Sequence, residues 1–182
     1  MASIQKVSKS AFGGYMKHCN RTEDDGERHS NEMIDPTRTH LNYYLKKGTM
    51  DDYYKRLEEV YHSDRNNIVP IIGMAVTLPQ DVPEEDERKF FEGVYKFYQG
   101  DFREENIINA VVHKDETTPH MHLYGMPCLP IDRDNLSPSL LSEITEYEKE
   151  HNHPVTERLC AKEWLTRNYY VQMHPRLYKF MS

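Results

Sequence analysis

The sequence predicts an α+β domain with a central antiparallel β-sheet covered by helices. Three observations lead there. Short apolar, β-branched runs alternate with longer stretches of helical periodicity. Two of the short runs flank a polar six-residue turn, Lys114 to Pro119, which reads as a hairpin. The 182-residue chain is long enough for one core and short for two, so residues 1–182 are taken as a single domain.

Each element has its own signal. Residues 2–9 suggest a short strand. Gly13 to Pro36 is polar, rich in turn formers and charge, and is expected to be irregular. HLNYYLKK restores an extended piece. DDYYKRLEEVYHSD opens at Asp51, an expected N-cap, and carries Tyr54, Leu57 and Tyr61 at helical spacing, giving a helix of about four turns. The apolar, β-branched segment before Pro79 predicts a strand at 71–78. PEEDERKFFEGVYKFYQG begins with Pro and acids and ends with Gly, predicting a helix over 83–99. Strands follow at 106–113 and 119–128, then a helix at 138–150. A last helix begins in AKEWLTRNYYVQ, and Pro175 is expected to kink or end it.

No apolar run reaches the ~18 residues of a membrane span, and the N-terminus lacks an apolar signal core. Three widely spaced cysteines, Cys19, Cys128 and Cys160, read as reduced thiols of a cytoplasmic protein. The net charge of −7 does not recommend a polyanion partner. Its distribution leaves one open. Residues 1–50 carry eight Lys/Arg against six Asp/Glu, whereas residues 51–105 carry seven against fourteen.

The chemistry is concentrated in HKDETTPHMH, residues 113–122. A hairpin through the intervening turn places His113 opposite the start of the second strand. His120 and His122, two apart, project from one face of that strand. Three imidazoles with open positions make a metal site of catalytic type. Glu116, on the turn, is placed to be a fourth ligand or a proton acceptor. Isolated strand histidines are usually half-buried polar residues, but three converging beside a carboxylate favour a metal. The spacing does not fit HExxH proteases, and no P-loop or dinucleotide-binding glycine pattern occurs.

HKDETTPHMH resembles the metal motif of the MobV (Pre/Mob) relaxases of mobilisable plasmids, H-x-D-E-x-T-P-H-x-H, within the HUH endonuclease superfamily. GGYMKHCNR, residues 13–21, resembles that family's first motif, with Cys19 where Asn is common. HSNEMIDPTRTHLNYYL, residues 29–45, resembles the second. The three occur in the family's order and span at least residues 5–128, and RLCAKEWLTRNYYVQMHPRL resembles a later segment. The resemblance implies a palm-like HUH relaxase fold and a divalent ion on His113, His120 and His122: Mn²⁺, with Mg²⁺ or another transition metal as alternatives. It implies DNA as partner, a single-stranded or hairpin origin of transfer, nicked by transesterification to leave a covalent 5′-phosphoryl–protein bond. The implied nucleophile is His18, with Tyr43 and Tyr44 as runners-up because HUH enzymes generally use Tyr. Arg21 is expected to clamp a phosphate, and Asn42 and Tyr43 to lie at the DNA. Many family members continue into a helical C-terminal region, so residues 1–182 are expected to be either the isolated catalytic domain or a short member, with any homodimer contact in a C-terminal region not present here. The rival functions are an HUH replication initiator or transposase, a DNA-binding module with a structural metal, and a hydrolase of small phosphoesters.

Overall fold

The computed structural model describes residues 2–21, 33–63 and 68–182. Five strands form one antiparallel sheet in the order β1-β3-β5-β4-β2: β1 (Ala2–Val7), β2 (Tyr43–Lys46), β3 (Ile71–Thr77), β4 (Ile107–His113) and β5 (His120–Gly125). The expected hairpin is the β4–β5 pair, with His113 opposite His120. It lies inside the sheet, flanked by β2 and β3, which is why every residue of β4 is buried.

Side chains alternate across the pleat, and helices cover both faces. On one face Met74, Val76, Val112, Met121 and Leu123 pack with Phe91, Val94 and Tyr98 of α3 (Glu87–Phe102) and Met173 of α6 (Arg167–Met181). On the other, Val7, Ile71, Val111 and Tyr124 pack with Phe12 and Met16 of α1 (Lys9–Asn20) and Tyr53 and Leu57 of α2 (Met50–Glu58). A smaller cluster gathers Tyr61 and Val155 against Ile144 and Tyr147 of α4 (Pro138–His151).

Several sequence expectations are corrected. Residues 13–20 are not irregular but belong to α1, which begins at Lys9: Ser8 caps it by accepting from the Ala11 N–H, and Phe12, Met16 and Cys19 bury a stripe at helical spacing. Two glycines cost a helix about 1 kcal/mol each, and burial of that stripe overrides them. Asp51 is not the cap of α2; Thr49 is, in a capping box with Asp52. α2 ends at Glu58, while the expected end near Asp64 lies outside the described residues. The expected strand 119–128 divides. Residues Cys128–Pro130 (β6) leave the main sheet to pair with Glu157–Leu159 (β7). The last helical region is two helices, α5 (Ala161–Trp164) and α6, and Pro175 lies within α6 without ending it.

Gly48 joins β2 to α2 where the chain presses on β4. Its N–H reaches Asn109 Oδ1 at 3.1 Å, and a Cβ there would collide with the Ile108 carbonyl. Gly48→Ala is expected to destabilise the protein by about 1–3 kcal/mol, because backbone must shift to admit one methyl. Urea unfolding measures this, and an unchanged midpoint would contradict the close packing.

Candidate metal centre and nucleophile

The centre is built on the face of the sheet that carries α1. Because His113, His120 and His122 occupy matching faces of β4 and β5, their ring centroids lie 4.8–5.5 Å apart. The α1 helix then delivers a fourth imidazole. His18 sits in its last turn, 5.4 Å from the His113 ring and 5.7 Å from the His122 ring, centroid to centroid. Glu116 reaches over from the turn. Its Oε1 is 3.7 Å from His18 Nε2 and 3.6 Å from His113 Nδ1, and its Oε2 is 3.7 Å from His120 Nε2.

Hydrogen bonds to backbone carbonyls settle two tautomers. His113 Nε2 is 3.0 Å from the Cys19 carbonyl and His120 Nδ1 is 2.8 Å from the Thr118 carbonyl, so each of those nitrogens carries the proton and donates it. The opposite nitrogens, His113 Nδ1 and His120 Nε2, are left with lone pairs directed into the centre. His113 Nδ1 is buried without a hydrogen-bond partner. The Nε2 atoms of His120 and His122 are 3.1 Å apart. Two nitrogens on one ion at ~2.1 Å are about 3.0–3.4 Å apart, so the pair is spaced for shared coordination. An orphaned, desolvated lone pair, carbonyl-oriented imidazoles and a nearby carboxylate all fit a divalent transition ion. Potential ligand atoms gather within 4.8 Å in two overlapping sets, His18–His113–His122 and His113–Glu116–His120.

Arg21 ties the helix end to the turn. It is the left-handed C-cap of α1, φ 50°, and its N–H bonds the His18 and Lys17 carbonyls. Its guanidinium donates to Asp115 Oδ2 at 2.9 Å and Oδ1 at 2.6 Å, to Glu116 Oε1 at 2.9 Å and to the His18 carbonyl at 2.8 Å. Asp115 is fully buried and also accepts from Thr39 Oγ1 and Asn42 Nδ2. Although burial opposes ionisation, these donors hold its carboxyl well below the usual range.

The expected site residues therefore divide. His18, His113, Glu116, His120 and His122 converge. The Arg21 guanidinium is engaged by Asp115 and Glu116, with only 7% of its side chain exposed, an arrangement unlike an open phosphate clamp. The Asn42 amide is likewise taken up: its oxygen accepts from the Lys114 and Asp115 N–H groups. Tyr43 pairs with Val112 and faces α3, where its hydroxyl meets Glu87 and Arg88 lies over its ring, so it occupies the sheet face opposite the histidines. Tyr44 packs with the cluster on the histidine face. His29, Ser30 and Asn31 of the second motif lie outside the described residues. Sequence reasoning gave no role to Asp115 or Cys19. The first was signalled by its place beside Glu116. The second acts through its carbonyl, which no residue type reveals, while burial pushes its thiol up to about 12.

A five-stranded antiparallel sheet with this histidine-rich centre beside a helix-borne histidine has the architecture of a relaxase domain. Three crystallised forms of the MobM relaxase domain (MOBV; Mob_Pre), Mn-bound and in complex with plasmid pMV158 oriT DNA, superpose on it. One has a TM-score of 0.61 and 28% identity over 90% of this chain and 91% of that one; another has 0.60 and 27% over 86% and 88%; the third has 0.61 and 25% over 92% of each. The plasmid recombination enzyme of Lactiplantibacillus plantarum is 34% identical over 145 residues, and the type 2 enzyme of Staphylococcus aureus 33% over 135. These alignments cover 74% and 68% of this chain but 38% and 31% of those proteins, so the chain spans about a third of their length. The family match extends over residues 1–182, and the chain belongs to the plasmid recombination enzyme family, Mob_Pre.

Burial favours the neutral forms of His113 and His122. It pushes His113 down to about 4 and His122 down to about 2, aided by neighbouring imidazoles and Arg21. Unfolded, both regain a value near 6.5, so the unfolded chain binds more protons below that pH and stability falls with it. The metal-free protein is expected to lose stability progressively as pH drops from about 6.5 to 4. Urea midpoints across that range, in chelator, read the slope. A flat profile would mean these imidazoles are more solvated than the fold indicates.

Proposed function

We propose that this chain is a metal-dependent DNA relaxase domain that nicks one strand at an origin of transfer and retains the 5′-phosphoryl end on His18. The observation that carries the proposal is the delivery of His18 by α1 to within 6 Å, ring to ring, of two histidines of the metal centre. His113, His120 and His122 are assigned as ligands, and Mn²⁺ as the ion, in keeping with the Mn-bound MobM domains. A bound divalent cation supplies charge neutralisation at a phosphate oxygen, where negative charge grows in the transition state.

The chain's own residues do the rest. Burial first, and Arg21 next, lower the His18 pKa from its ordinary value, so the imidazole is neutral and nucleophilic near pH 7. A ring-nitrogen lone pair of His18 forms the P–N bond as the P–O3′ bond breaks, and the 3′ oxygen departs with the bonding pair and takes a proton from solvent to become the free hydroxyl. Glu116, 3.7 Å from His18 Nε2, orients the ring and accepts the proton its other nitrogen must release. Arg21 acts as a positioning residue: it anchors the carbonyl of His18 and the carboxylate of Glu116 together, in place of the phosphate clamp expected from the sequence. Asn42 similarly braces the turn. Tyr43 is assigned no part in DNA contact. The P–N bond conserves the energy of the phosphodiester for religation. Such a domain works where plasmid DNA resides, in the cytoplasm, and no described helix is long and apolar enough to cross a membrane.

His18→Ala is expected to bind Mn²⁺ and oligonucleotide as wild type does and to form no adduct, whereas Tyr43→Phe and Tyr44→Phe keep adduct formation. Supercoiled plasmid carrying the cognate origin, incubated with Mn²⁺ and resolved on denaturing gels, tests this; an adduct in His18→Ala that disappears in Tyr44→Phe would move the nucleophile to Tyr44. Acid should release the wild-type adduct as a phosphoramidate. His120→Ala together with His122→Ala should abolish tight Mn²⁺ binding, read by electron paramagnetic resonance, and its retention would remove the metal assignment.

A further inference from the structure

A cleft of about 400 Å³ opens beside the centre, between α1 and the strands β1 and β3. That volume lies within the ~300–1,000 Å³ of small-ligand sites. Its floor is two rows across the sheet. Ser3, Ala75 and His122 are paired in one, and Gln5, Gly73 and Tyr124 in the next. The first row ends on an assigned metal ligand. Small side chains hollow this part of the face, while Val7 and Ile71, one pair further along, are large and buried under α1.

The wall is one stripe of α1. Ala11, Gly14, Tyr15 and His18 fall at i, i+3, i+4 and i+7, so they share a side of the helix distinct from its buried stripe. His18 therefore belongs both to the cleft and to the centre. A Cβ at Gly14 would meet nothing within 4 Å, so no packing with other groups demands the glycine there. At the mouth Gln5 Nε2 donates to the Tyr15 hydroxyl, which leaves the Gln5 carbonyl oxygen as an acceptor. The Tyr15 and Tyr124 rings lie 5.9 Å apart and tilted.

We infer that this cleft takes one unpaired nucleobase, that of a nucleotide adjoining the phosphate attacked by His18. The inference rests on the proposed function, since a phosphate at His18 and His122 is what brings a nucleotide to the cleft. Apolar walls with aromatic rings suit the face of any base. The Gln5 oxygen accepts from imino or amino N–H groups on its edge. Seating the base would fix the sugar–phosphate chain on both sides of the reacting bond, and hold the phosphorus against His18.

The test compares fluorescein-labelled oligothymidylate of about eight nucleotides with an abasic strand of the same length, in Mn²⁺. Wild type is expected to bind the thymidylate about tenfold more tightly. Gly14→Leu, filling the cleft from its wall, and Ser3→Leu, filling it from its floor, should each reduce that ratio to about twofold or less. Both variants should keep the affinity for the abasic strand and for Mn²⁺. Equal affinity of wild type for the two strands overturns the inference, as does a preference that survives both substitutions. Plasmid nicking by wild type is scored in parallel. Its absence, with the base preference present and lost in both variants, would remove the nicking reaction and leave the base site standing.

Discussion

The centre depends on one buried carboxylate. Asp115 has no exposed surface, and an ionised carboxyl without partners in that position would be strongly unfavourable. It is ionised because Arg21, Thr39 and Asn42 donate to it, while its backbone carbonyl accepts from the Asp35 N–H at 2.7 Å. Those donors come from the end of α1, from the short 3₁₀ helix Pro36–Leu41, and from Asn42, which caps that helix just before β2. Satisfying one carboxylate thus requires all three to close on the hairpin turn. Arg21 of the first motif and Asn42 of the second are engaged in that closure.

Closure has a geometric consequence. With Arg21 fixed at the turn, the last turn of α1 lies over the ends of β4 and β5. The Cys19 carbonyl then reaches His113, and the His18 ring faces the histidine cluster. A single helix end therefore sets the tautomer of one assigned ligand and the position of the assigned nucleophile. A helical mount gives less freedom than a loop would, since the Ser8 cap and the Phe12–Met16–Cys19 stripe hold α1 along its length. Movement of that end would disturb His18, Glu116 and His113 together.

The acidic total charge is compatible with the proposed reaction on DNA because repulsion is local and screened beyond about 8–10 Å. Lys114, at the hairpin turn, points away to Glu87 of α3 at 2.9 Å. Affinity for a strand is thus to be sought in the centre and its adjoining cleft, with contacts to bases supplementing those to phosphate.

The histidine trio and the hairpin were legible in the sequence because strand periodicity is exact and local: alternate residues share a face, and a polar turn between apolar runs fixes the pairing. The motifs likewise pointed to His18. What the sequence did not determine was how these residues are mounted. The α1 helix was hidden by Gly13, Gly14 and a polar context, and burial of its apolar stripe, with Phe12 against Tyr53 and Tyr124, favours the helix over them. The opposite fates of Tyr43 and Tyr44 follow from which sheet face α3 covers. Arg21 and Asn42 became braces because Asp115, about 70 to 95 residues away in sequence, is buried between them. Local periodicity places side chains on a face; long-range packing decides which of them are left free to act.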